Sequence, residues 1–591
     1  MNMSSLRKVL FGYLLLLVPL AWFSMKLDLY TIDGDAVSYM DIADLLHAHR
    51  WTDAVNSYWH PLYPACLWLA QVLFHTNHWT ELRAYYIVNF FLYLLQVGAL
   101  LLFVGGLVRL RTRMAPALEP LLSSSALNLI GLTMLVVAVM REMTLGKVGT
   151  DGLLQALILL ALGMMMESLA AESMAVAITF ASLMGLFFGL GYLTKSFAFL
   201  LTLLSVTVFA LFAWRVQRRS LLRAFGAPVV ALVVFSIIAG PYIAALSHQK
   251  HRLTFGESGN LNYAWYVSGT ERTHLEPWET KRFGSATVHL LHPEKQLLAS
   301  PGVYSYKALK LGTYPAWFDT TYFDDRIVPK FSLERLLKRD ARNVVLILRY
   351  ALNHPEPLIL LVVLLAAGAS LRGRHRFGWP VFGISVMMWG IYTLVNIEER
   401  YVTVAYLALL LPVFASLRTR SADAAPNRAL RRTAAVVVVL FAVLSLGELL
   451  RLDLMKRRDE QVANRVPAWR DPQIYGAAEG LAKLGVKPGD EIACIGTKAC
   501  VYDPYWARLA SVRILTEINE PDAVRLVDQM DAIPNRQQVY DVLKGEGARV
   551  LVGNFDPGAM NPKHPSADGW IRLGETNFYA LPLTLAVGGA Q

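Results

Sequence analysis

The sequence predicts a mainly α-helical, polytopic membrane bundle of about eleven spans, followed by a small soluble α/β domain at the C-terminus. Hydrophobic residues make up 55% of the 591 residues, and charged residues make up only 17%. Soluble globular proteins carry about 25% charged residues, which argues against a soluble enzyme of this size. The sequence has no low-complexity tract and no sustained heptad, which excludes disordered and fibrous chains. Three cysteines exclude a disulfide scaffold and offer no metal-ligand spacing.

Apolar runs of roughly 17–25 residues predict the spans. The first run follows Arg7 and Lys8 and lacks a convincing cleavage site. We therefore expect an uncleaved membrane anchor, with a cleaved signal peptide as the alternative. The runs lie near residues 9–25, 83–108, 124–140, 151–166, 174–193, 197–213, 223–246, 350–370, 378–395, 401–417 and 434–451.

The placement of arginine predicts the orientation. With the N-terminus inside, the inner loops are rich in arginine and the short outer connections hold few positive charges. This asymmetry explains most of the net charge of +11 and argues against nucleic-acid binding. The inner loop 167–172 lacks a positive charge, so the 151–193 hairpin is the least supported part of the topology. The inner arginines are Arg109, Arg111, Arg113, Arg215, Arg218, Arg219, Arg223, Arg372, Arg374, Arg376, Arg418, Arg420, Arg428, Arg431 and Arg432.

Three polar regions face outward in this topology. Two are the loops 26–82 and 247–342 of a transmembrane domain, 1–452, and the third is the domain 453–591. Within the first loop, apolar residues at helical spacing over 36–49 predict an interfacial amphipathic helix. The segment 60–74 is too short to span a membrane and predicts a second interfacial helix.

The second outer loop is rich in aromatic residues, in the segments 262–274 and 314–325. Loops of this length are usually functional or disordered, and the aromatic content argues against disorder. The aromatic side chains are expected to form either a membrane-interface belt or a platform for a sugar. We expect this loop to cover the site, and the C-terminal domain to recognise the acceptor or to stabilise the loop.

The C-terminal region alternates between helical and strand patterns, which predicts a partly parallel sheet covered by helices. It contains no nucleotide-binding motif. Cys494 and Cys500 are close enough in sequence to bridge, although two unpaired thiols are the favoured expectation. The predicted helices are 475–485, 504–512 and 538–547, and the predicted strands are 491–496, 513–518 and 548–554.

Ionisable residues concentrate at the predicted outer ends of the spans. Such groups are costly near a membrane, so each is a candidate for function. Carboxylates beside cations fit transfer from a phosphate-linked donor, because a carboxylate can take a proton from an attacking hydroxyl while cations stabilise the departing phosphate. The candidates are Asp33, Asp35, Asp41, Asp44, His60, Arg141, Glu142, Lys147, Asp151, Lys195, Glu398, Glu399 and Arg400.

Five segments in this region resemble motifs of the GT-C glycosyltransferases, in particular the aminoarabinose transferases and the protein O-mannosyltransferases. The first loop resembles theirs in Asp35 and Tyr39, although the family's Asp-Glu pair is here Asp35-Ala36 with a second acid at Asp33. In the segment 193–201 the family's Gly-Pro after the lysine is replaced by Ser196-Phe197. In the segment 398–412 the family's proline is replaced by Val404 or Ala405. The other similar segments are WHPLYP (59–64), TDGLL (150–154), LTKSFAFLL (193–201) and EERYVTVAYLALLLP (398–412).

The resemblance implies a GT-C-like membrane bundle and a polyprenyl-phosphate-linked sugar donor. The expected reaction passes the sugar to a lipid, glycan or protein acceptor at the outer face of the cytoplasmic membrane, with inversion. We expect Asp35 to be the general base and Asp151 a second acid, and we expect Lys195 and Arg400 to bind the donor phosphate. Supporting roles are expected for Asp33, Tyr39, His60, Arg141, Lys147, Glu399 and Tyr401.

Each of these residues also has a structural interpretation. Asp35 and Asp151 could cap helices, Lys195 could extend to the interface, and Arg400 could be an ordinary flanking charge. Arg141 and Lys147 are expected to be loop charges more often than ligands, and His60 before proline is more often structural. No cofactor is expected, because a donor with a single phosphate needs little charge neutralisation, and a divalent metal at Asp33 and Asp35 is the alternative.

Two other classes of protein stay open. A transporter or flippase of an amphipathic lipid-linked sugar would have discontinuous helices near the membrane midplane and internal repeats. A non-catalytic scaffold would use its outer domain to bind a partner. The ionisable residues gather at one face and no repeat is found, so a glycosyltransferase is the favoured expectation.

Overall fold

Long helices and one mixed sheet make up the protein, for which we use a computed structural model. It describes residues 3–116, 119–143, 145–270, 296–299, 301–322, 327–371, 376–419, 424–464, 469–496, 498–518, 536–555 and 569–584. The helices are α1 Met3–Leu27, α2 Gly34–His47, α3 Leu62–Phe74, α4 Glu81–Met114, α5 Ser124–Ala138, α6 Asp151–Ala170, α7 Met174–Thr194, α8 Phe197–Leu211, α9 Leu221–Gln249, α10 Ser258–Tyr263, α11 Pro315–Phe318, α12 Leu333–Asn353, α13 Glu356–Ala366, α14 Trp379–Thr393, α15 Glu399–Ala415, α16 Ala424–Glu448, α17 Met455–Asn464, α18 Pro472–Lys483, α19 Tyr505–Leu509 and α20 Arg536–Glu546.

Eight helical segments in the described part of the chain are long and apolar enough to cross a membrane. They coincide with eight of the runs read from the sequence, and the predicted class, a helical membrane bundle, is confirmed. The segments are Ser5–Leu27, Glu81–Met114, Ser124–Met143, Asp151–Ala170, Met174–Thr194, Phe197–Val216, Leu221–Gln249 and Asn427–Ala463.

The other three predicted spans take different forms. The run 350–370 falls on α12 and α13, which meet at a bend of 66°. The runs 378–395 and 401–417 correspond to α14, with 15 residues, and α15, with 17 residues. Both are shorter than the ~20 residues that a straight span requires. The total of eleven spans therefore stays a prediction.

Arginine side chains gather at one end of the bundle, as the topology requires. The loop 167–172, which lacks a positive charge of its own, receives two arginines from the end of α4. Arg109 contacts Glu167 at 3.0 Å, and Arg113 contacts Glu172 at 2.5 Å. The α6–α7 hairpin is therefore formed as predicted, with its charge pattern completed by a neighbouring helix.

At the opposite end of the bundle, α2 lies between the spans and the C-terminal domain, and α3 packs against α2, α4 and α7. Both helices were predicted, but the amphipathic interpretation of α2 is wrong, since eleven of its fourteen residues are buried. Asp41 and Asp44 of this helix contact Arg508 of the C-terminal domain instead of water alone. Helix α3 differs, because Leu69, Leu73 and Phe74 remain exposed, which fits contact with lipid.

The sheet joins two regions that are far apart in sequence. Strands β1 and β2 come from the second outer loop, and β2 pairs antiparallel with β6 of the C-terminal domain. Strand β5 pairs parallel with β6 and β7, so the partly parallel sheet predicted from the sequence is present. The strand order is β1-β2-β6-β5-β7-β9-β8. The strands are β1 Gln296–Ala299, β2 Gly302–Ser305, β5 Glu491–Ile495, β6 Arg513–Ile518, β7 Val550–Asn554, β8 Ile571–Arg572 and β9 Phe578–Pro582, while β3 Ala369–Ser370 and β4 Arg418–Thr419 form a separate pair at the arginine-rich end.

Successive side chains of β5 belong to two different hydrophobic clusters, one on each face of the sheet. Ile492 and Cys494 belong to the hydrophobic cluster that includes α2 and α18. Ala493 and Ile495 belong to a second cluster with Val539 of α20. Because successive side chains of a strand point to opposite faces, the central strand contributes to both clusters.

A disulfide joins Cys494 to Cys500, so the expectation of two unpaired thiols is wrong. Their Cα atoms are 5.8 Å apart, because the turn 498–502 folds back onto the end of β5. Sequence separation alone could not distinguish a bridge from two separate thiols, since the path of the intervening residues decides the distance.

The crossing of α7 and α9 generates a stability prediction. A Cβ at Gly185 would lie 2.2 Å from the carbonyl oxygen of Ala231. Gly185→Ala should therefore lower the free energy of unfolding by about 1–3 kcal/mol, the usual cost of overpacking. Gly98→Ala in α4, where no atom lies within 4 Å, is the matched control and should not destabilise. Thermal unfolding of the purified proteins measures the difference, and equal midpoints would contradict the close crossing.

Candidate active site

A cavity of about 610 Å³ opens at the end of the bundle opposite the arginine-rich loops. Its walls come from the beginning of α2, α6 and α15, the end of α7, and the segments 253–266 and 317. All four residues expected to carry the reaction, Asp35, Asp151, Lys195 and Arg400, line this cavity. Three of the expected supporting residues, Tyr39, Lys147 and Tyr401, line it as well.

Asp151 lies between two cations that come from different helices. Lys195, which follows α7, donates from Nζ to Asp151 Oδ1 at 3.1 Å. Arg400 of α15 approaches the other carboxylate oxygen, with Nε 3.4 Å from Oδ2. Asp151 is the first residue of α6, but it makes ion pairs and no capping hydrogen bond. Its charge therefore holds two cations in one place.

Glu398 and an aromatic stack complete the surroundings of the two cations. Glu398 Oε2 lies 2.6 Å from Arg400 Nη2, and its side chain is 44% exposed. Lys195 Nζ lies 4.1 Å from the centre of the Tyr401 ring. Tyr392 stacks on Tyr401 at 4.8 Å, and Phe197 stacks on Tyr392 at 4.2 Å. The stack restricts the side-chain positions of both Tyr401 and Lys195.

Asp35 lies in the first turn of α2. The residue that caps this helix is Asp33, which accepts a hydrogen bond from the Ala36 amide at 3.0 Å. Trp317 Nε1 donates to Asp35 Oδ1 at 2.8 Å. Burial, together with the charge of Asp33, raises the pKa of Asp35 to about 6, while Arg400 and the Trp317 hydrogen bond act in the other direction. A carboxylate with a pKa this close to neutrality is suited to accept a proton.

Lys147, in the loop before α6, contacts the beginning of α2. Its Nζ lies 3.4 Å from Asp33 Oδ2, so the capping residue of α2 is also an ion-pair partner. Tyr39, one turn after Asp35, packs edge-on against Trp59 and Tyr63 at 5.2 and 5.7 Å. These contacts fix the first two turns of α2 against the cavity.

The other four supporting residues do not line the cavity. Asp33 caps α2 and pairs with Lys147, as described above, and the remaining three have other partners. His60 is buried against Tyr192 and Tyr242, with ring centres 5.0 and 5.4 Å away. Burial lowers the pKa of His60 to about 4, so it is neutral at pH 7.

Arg141 and Glu399 belong to a neighbouring polar cluster. Arg141 pairs with Asp453 at 2.7 Å and approaches Glu356 at 3.5 Å. Glu399 interacts with Glu142, whose carboxylate also contacts His354 at 2.9 Å. Neither Arg141 nor Glu399 lines the cavity.

Sequence reasoning did not single out three residues that shape the cavity, namely Trp317, Tyr392 and Phe197. Trp317 lies in the aromatic segment 314–325, where the density of aromatic residues was the only signal. Residues 271–295 and 323–326 of that loop lie outside the described part, so its covering role stays a prediction. Tyr392 looked like an ordinary apolar residue of a span, and Phe197 was noted only as a departure from the family's motif, because their contact depends on how α8 and α14 pack.

Comparison with known proteins found structural similarity only. No protein-family model matches the sequence, and no curated protein matches it. ArnT from Cupriavidus metallidurans bound to undecaprenyl phosphate is 14% identical with a TM-score of 0.49, and the match covers 98% of this chain and 99% of ArnT. The apo state of ArnT gives the same values.

A second similar structure is the Archaeoglobus fulgidus oligosaccharyltransferase in complex with zinc and sulfate. It is 12% identical with a TM-score of 0.48, and the match covers 91% of this chain and 67% of that protein. Both matches have TM-scores below 0.5. With identity this low, the residues of the cavity, and not the similarity, must support a function.

The double pairing of Asp151 generates a prediction for stability. Asp151→Asn removes the charge that separates Lys195 from Arg400, and a charge-assisted hydrogen bond contributes about 1.5–3 kcal/mol. We expect the free energy of unfolding to fall by about 2 kcal/mol. The matched control is Glu172→Gln, whose exposed pair with Arg113 should contribute little. If chemical denaturation gives both variants the same loss, Asp151 does not hold the two cations together.

Proposed function

We propose that the protein is a membrane glycosyltransferase that moves a sugar from a polyprenyl-phosphate carrier to an acceptor hydroxyl. One observation carries the proposal: a carboxylate with a pKa near 6 and two cations held by a second carboxylate line the same cavity. That combination provides a proton acceptor on one side and a binding place for a departing anion on the other.

The first half of the proposed reaction uses Asp35. Its carboxylate accepts the proton of the acceptor hydroxyl as the hydroxyl oxygen attacks the anomeric carbon of the sugar. Trp317 holds the carboxylate through its 2.8 Å hydrogen bond, which fixes the direction in which the free carboxylate oxygen points. A single displacement of this kind inverts the anomeric carbon.

The second half uses Lys195 and Arg400. As the bond between the anomeric carbon and the phosphate oxygen breaks, the electron pair passes to that oxygen and the two cations stabilise the charge. Both cations are already paired in the cavity, so the phosphate must replace one partner. Glu398 is the partner that we expect to leave, because its side chain is 44% exposed whereas that of Asp151 is 17% exposed.

The apolar part of the cavity supports a lipid-linked donor. Leu200, Phe255 and Ile391 line the side where α8 and α14 approach the cavity. Leu200 and, one turn further along α8, Leu203 are both exposed apolar side chains. A polyprenyl chain would therefore leave the cavity along α8, with its phosphate next to Lys195.

The disulfide supports a location outside the cytoplasm, since disulfides persist in oxidising compartments. The arginine-rich loops at the other end of the bundle support the same orientation. We therefore infer that the cavity and the C-terminal domain face the outer side of the cytoplasmic membrane.

Reporter fusions test this orientation. A reporter enzyme that works only outside the cytoplasm should be active when fused after Gln591 and inactive when fused after Arg113. The same reporter should give the opposite result at the two positions if the cavity faces the cytoplasm, and that outcome would exclude an extracytoplasmic reaction.

Replacement of the proposed base tests the first half of the reaction. Asp35→Asn keeps the size of the side chain and cannot take the proton, so turnover should fall by about 100- to 10,000-fold. Folding should survive, because Asp33 and not Asp35 caps α2. Transfer from a purified polyprenyl-phosphate sugar in detergent measures the loss. Near wild-type turnover would contradict the assignment, and movement of the lipid across vesicles without any transfer would favour a flippase.

The raised pKa of Asp35 gives a pH dependence with a defined sign. The base must be ionised, so kcat/KM should rise with pH through about 6 and stay level above that. Trp317→Phe removes a hydrogen bond that favours the ionised form, and the rise should therefore move to higher pH. A profile with no rise near pH 6, or one that Trp317→Phe leaves in place, would contradict the role of Asp35.

Replacement of the cations tests the second half. Arg400→Lys keeps the charge but loses the planar guanidinium, whereas Lys195→Ala loses the charge. Both variants should lower kcat/KM for the donor by about tenfold or more. Arg113→Ala at the exposed end of α4 is the control and should behave as wild type. Rates are measured at saturating acceptor while the donor lipid is varied. Unchanged donor affinity and turnover in both variants would place the phosphate elsewhere.

A further inference from the structure

Arg508 of the C-terminal domain is one of the most buried charged residues, with 1% of its surface exposed. It lies in the short helix α19 and donates five hydrogen bonds to carboxylates. Two go to Asp44 at 2.7 and 2.9 Å, two to Glu81 at 2.8 Å each, and one to Asp41 at 2.7 Å. Charge-assisted pairs of this bidentate kind combine strength with a fixed direction.

The three carboxylates belong to two different helices. Asp41 and Asp44 lie in α2, and Glu81 is the first residue of the span α4. One guanidinium therefore connects the C-terminal domain, a long span and the helix that begins with Asp35. Lysine could not replace it with the same geometry, because an ammonium is a compact point charge without two parallel donors.

Asp41 extends this connection to the second outer loop. Its two oxygens accept hydrogen bonds from the backbone amide of Thr313 at 2.7 Å and from the Thr313 hydroxyl at 2.8 Å. Thr313 also accepts a backbone hydrogen bond from Ile514 in β6 at 3.0 Å. Four residues later, Trp317 donates to Asp35. Through Asp41, Arg508 is therefore connected to α2, which carries Asp35, and to the segment that carries Trp317.

A second contact between the C-terminal domain and α2 lies at the beginning of the helix. A Cβ at Gly34 would lie 3.1 Å from the carbonyl oxygen of Val501 and 3.0 Å from Cδ1 of Trp317. Val501 directly follows the disulfide-bonded Cys500. The domain therefore touches α2 beside Asp35 as well as at Asp41 and Asp44.

We propose that Arg508 is a positioning residue for the transfer reaction, which holds α2 and the segment 313–318 so that Asp35 and Trp317 keep their contact. The proposal rests on the function proposed above, because it assigns Arg508 to the geometry of the base. Buried ion pairs contribute little net stability but can select one arrangement among several. Here the selected arrangement is the one that points Asp35 into the cavity.

The test compares Arg508→Lys with Arg549→Lys. Arg549 lies in the same domain and pairs with Asp490 at 2.9 and 3.0 Å, without contact to α2, so it is a matched control. In Arg508→Lys we expect kcat to fall by about tenfold to a hundredfold, as small misplacements of a reacting group can cause. The KM for the donor should stay within about twofold, because Lys195 follows α7 and Arg400 lies in α15, and Arg508 contacts neither residue.

Two further readouts separate positioning from general damage. Loss of the Asp35–Trp317 contact removes a hydrogen bond that favours the ionised carboxylate, so the rise of kcat/KM should move to higher pH, as in Trp317→Phe. Hydrogen exchange should increase in the segments 34–47 and 313–318 and stay unchanged in the spans. Arg549→Lys should alter neither readout.

Wild-type kcat and wild-type hydrogen exchange in Arg508→Lys would overturn the proposal. A lower yield of folded protein would also overturn it, if the protein that does fold keeps the wild-type pH profile. If Arg508→Lys does not fold, Thr313→Val removes one hydrogen bond of Asp41 and should give the same shift to a smaller extent. If the wild-type protein transfers no sugar, the proposed function fails, while the exchange of 34–47 and 313–318 still decides whether Arg508 positions them.

Discussion

The pairing of Asp151 with Lys195 and Arg400 is the interaction on which the polar end of the bundle depends. Unpaired charges beside the hydrocarbon of a membrane are costly, so each of the three side chains requires the others. Because the residues come from α6, from the end of α7 and from α15, their attraction fixes three helices relative to one another. The same arrangement supports the proposed phosphate site, where a phosphate would replace Glu398 beside Arg400.

A second set of charges, around Arg508, holds the helix α2. It ties the C-terminal domain to α2, and α2 carries Asp35 at its first turn. Lys195 and Arg400 are held by the membrane helices, whereas Asp35 is held by contacts among the membrane helices, the outer loop and the C-terminal domain. Under the proposed function, damage to the domain should therefore affect the proposed base before it affects the proposed donor site.

Periodicity predicted most of the elements, because hydrophobic patterns report directly on local structure. The helices and strands of the C-terminal region, and eight spans, follow this rule. The burial of α2 could not be predicted, because the residue that covers Asp41 lies 467 positions later. The disulfide was missed for a related reason, since the fold of residues 495–499 decides whether the two sulfurs meet.

The candidate site shows the same limit. Topology placed ionisable residues at one end of the bundle, and Asp35, Asp151, Lys195 and Arg400 do share a cavity there. His60, Arg141 and Glu399 were expected beside them, but Tyr192, Asp453 and Glu142 direct these side chains elsewhere. The sequence can identify the end of a span, whereas the neighbours on adjacent helices decide which way a side chain turns.

The sheet shared by the outer loop and the C-terminal domain has a consequence for biosynthesis. Strand β2 leaves the ribosome roughly 200 residues before its partner β6, and synthesis at about 5–20 residues per second separates them by tens of seconds or less. During that interval the edge of β2 lacks its hydrogen-bonding partner, and unpaired edges invite wrong pairing. In the proposed orientation, the sheet is completed only after the last span has been inserted and the remaining chain has crossed the membrane, so any secretion chaperone that acts on the protein has a defined moment to do so.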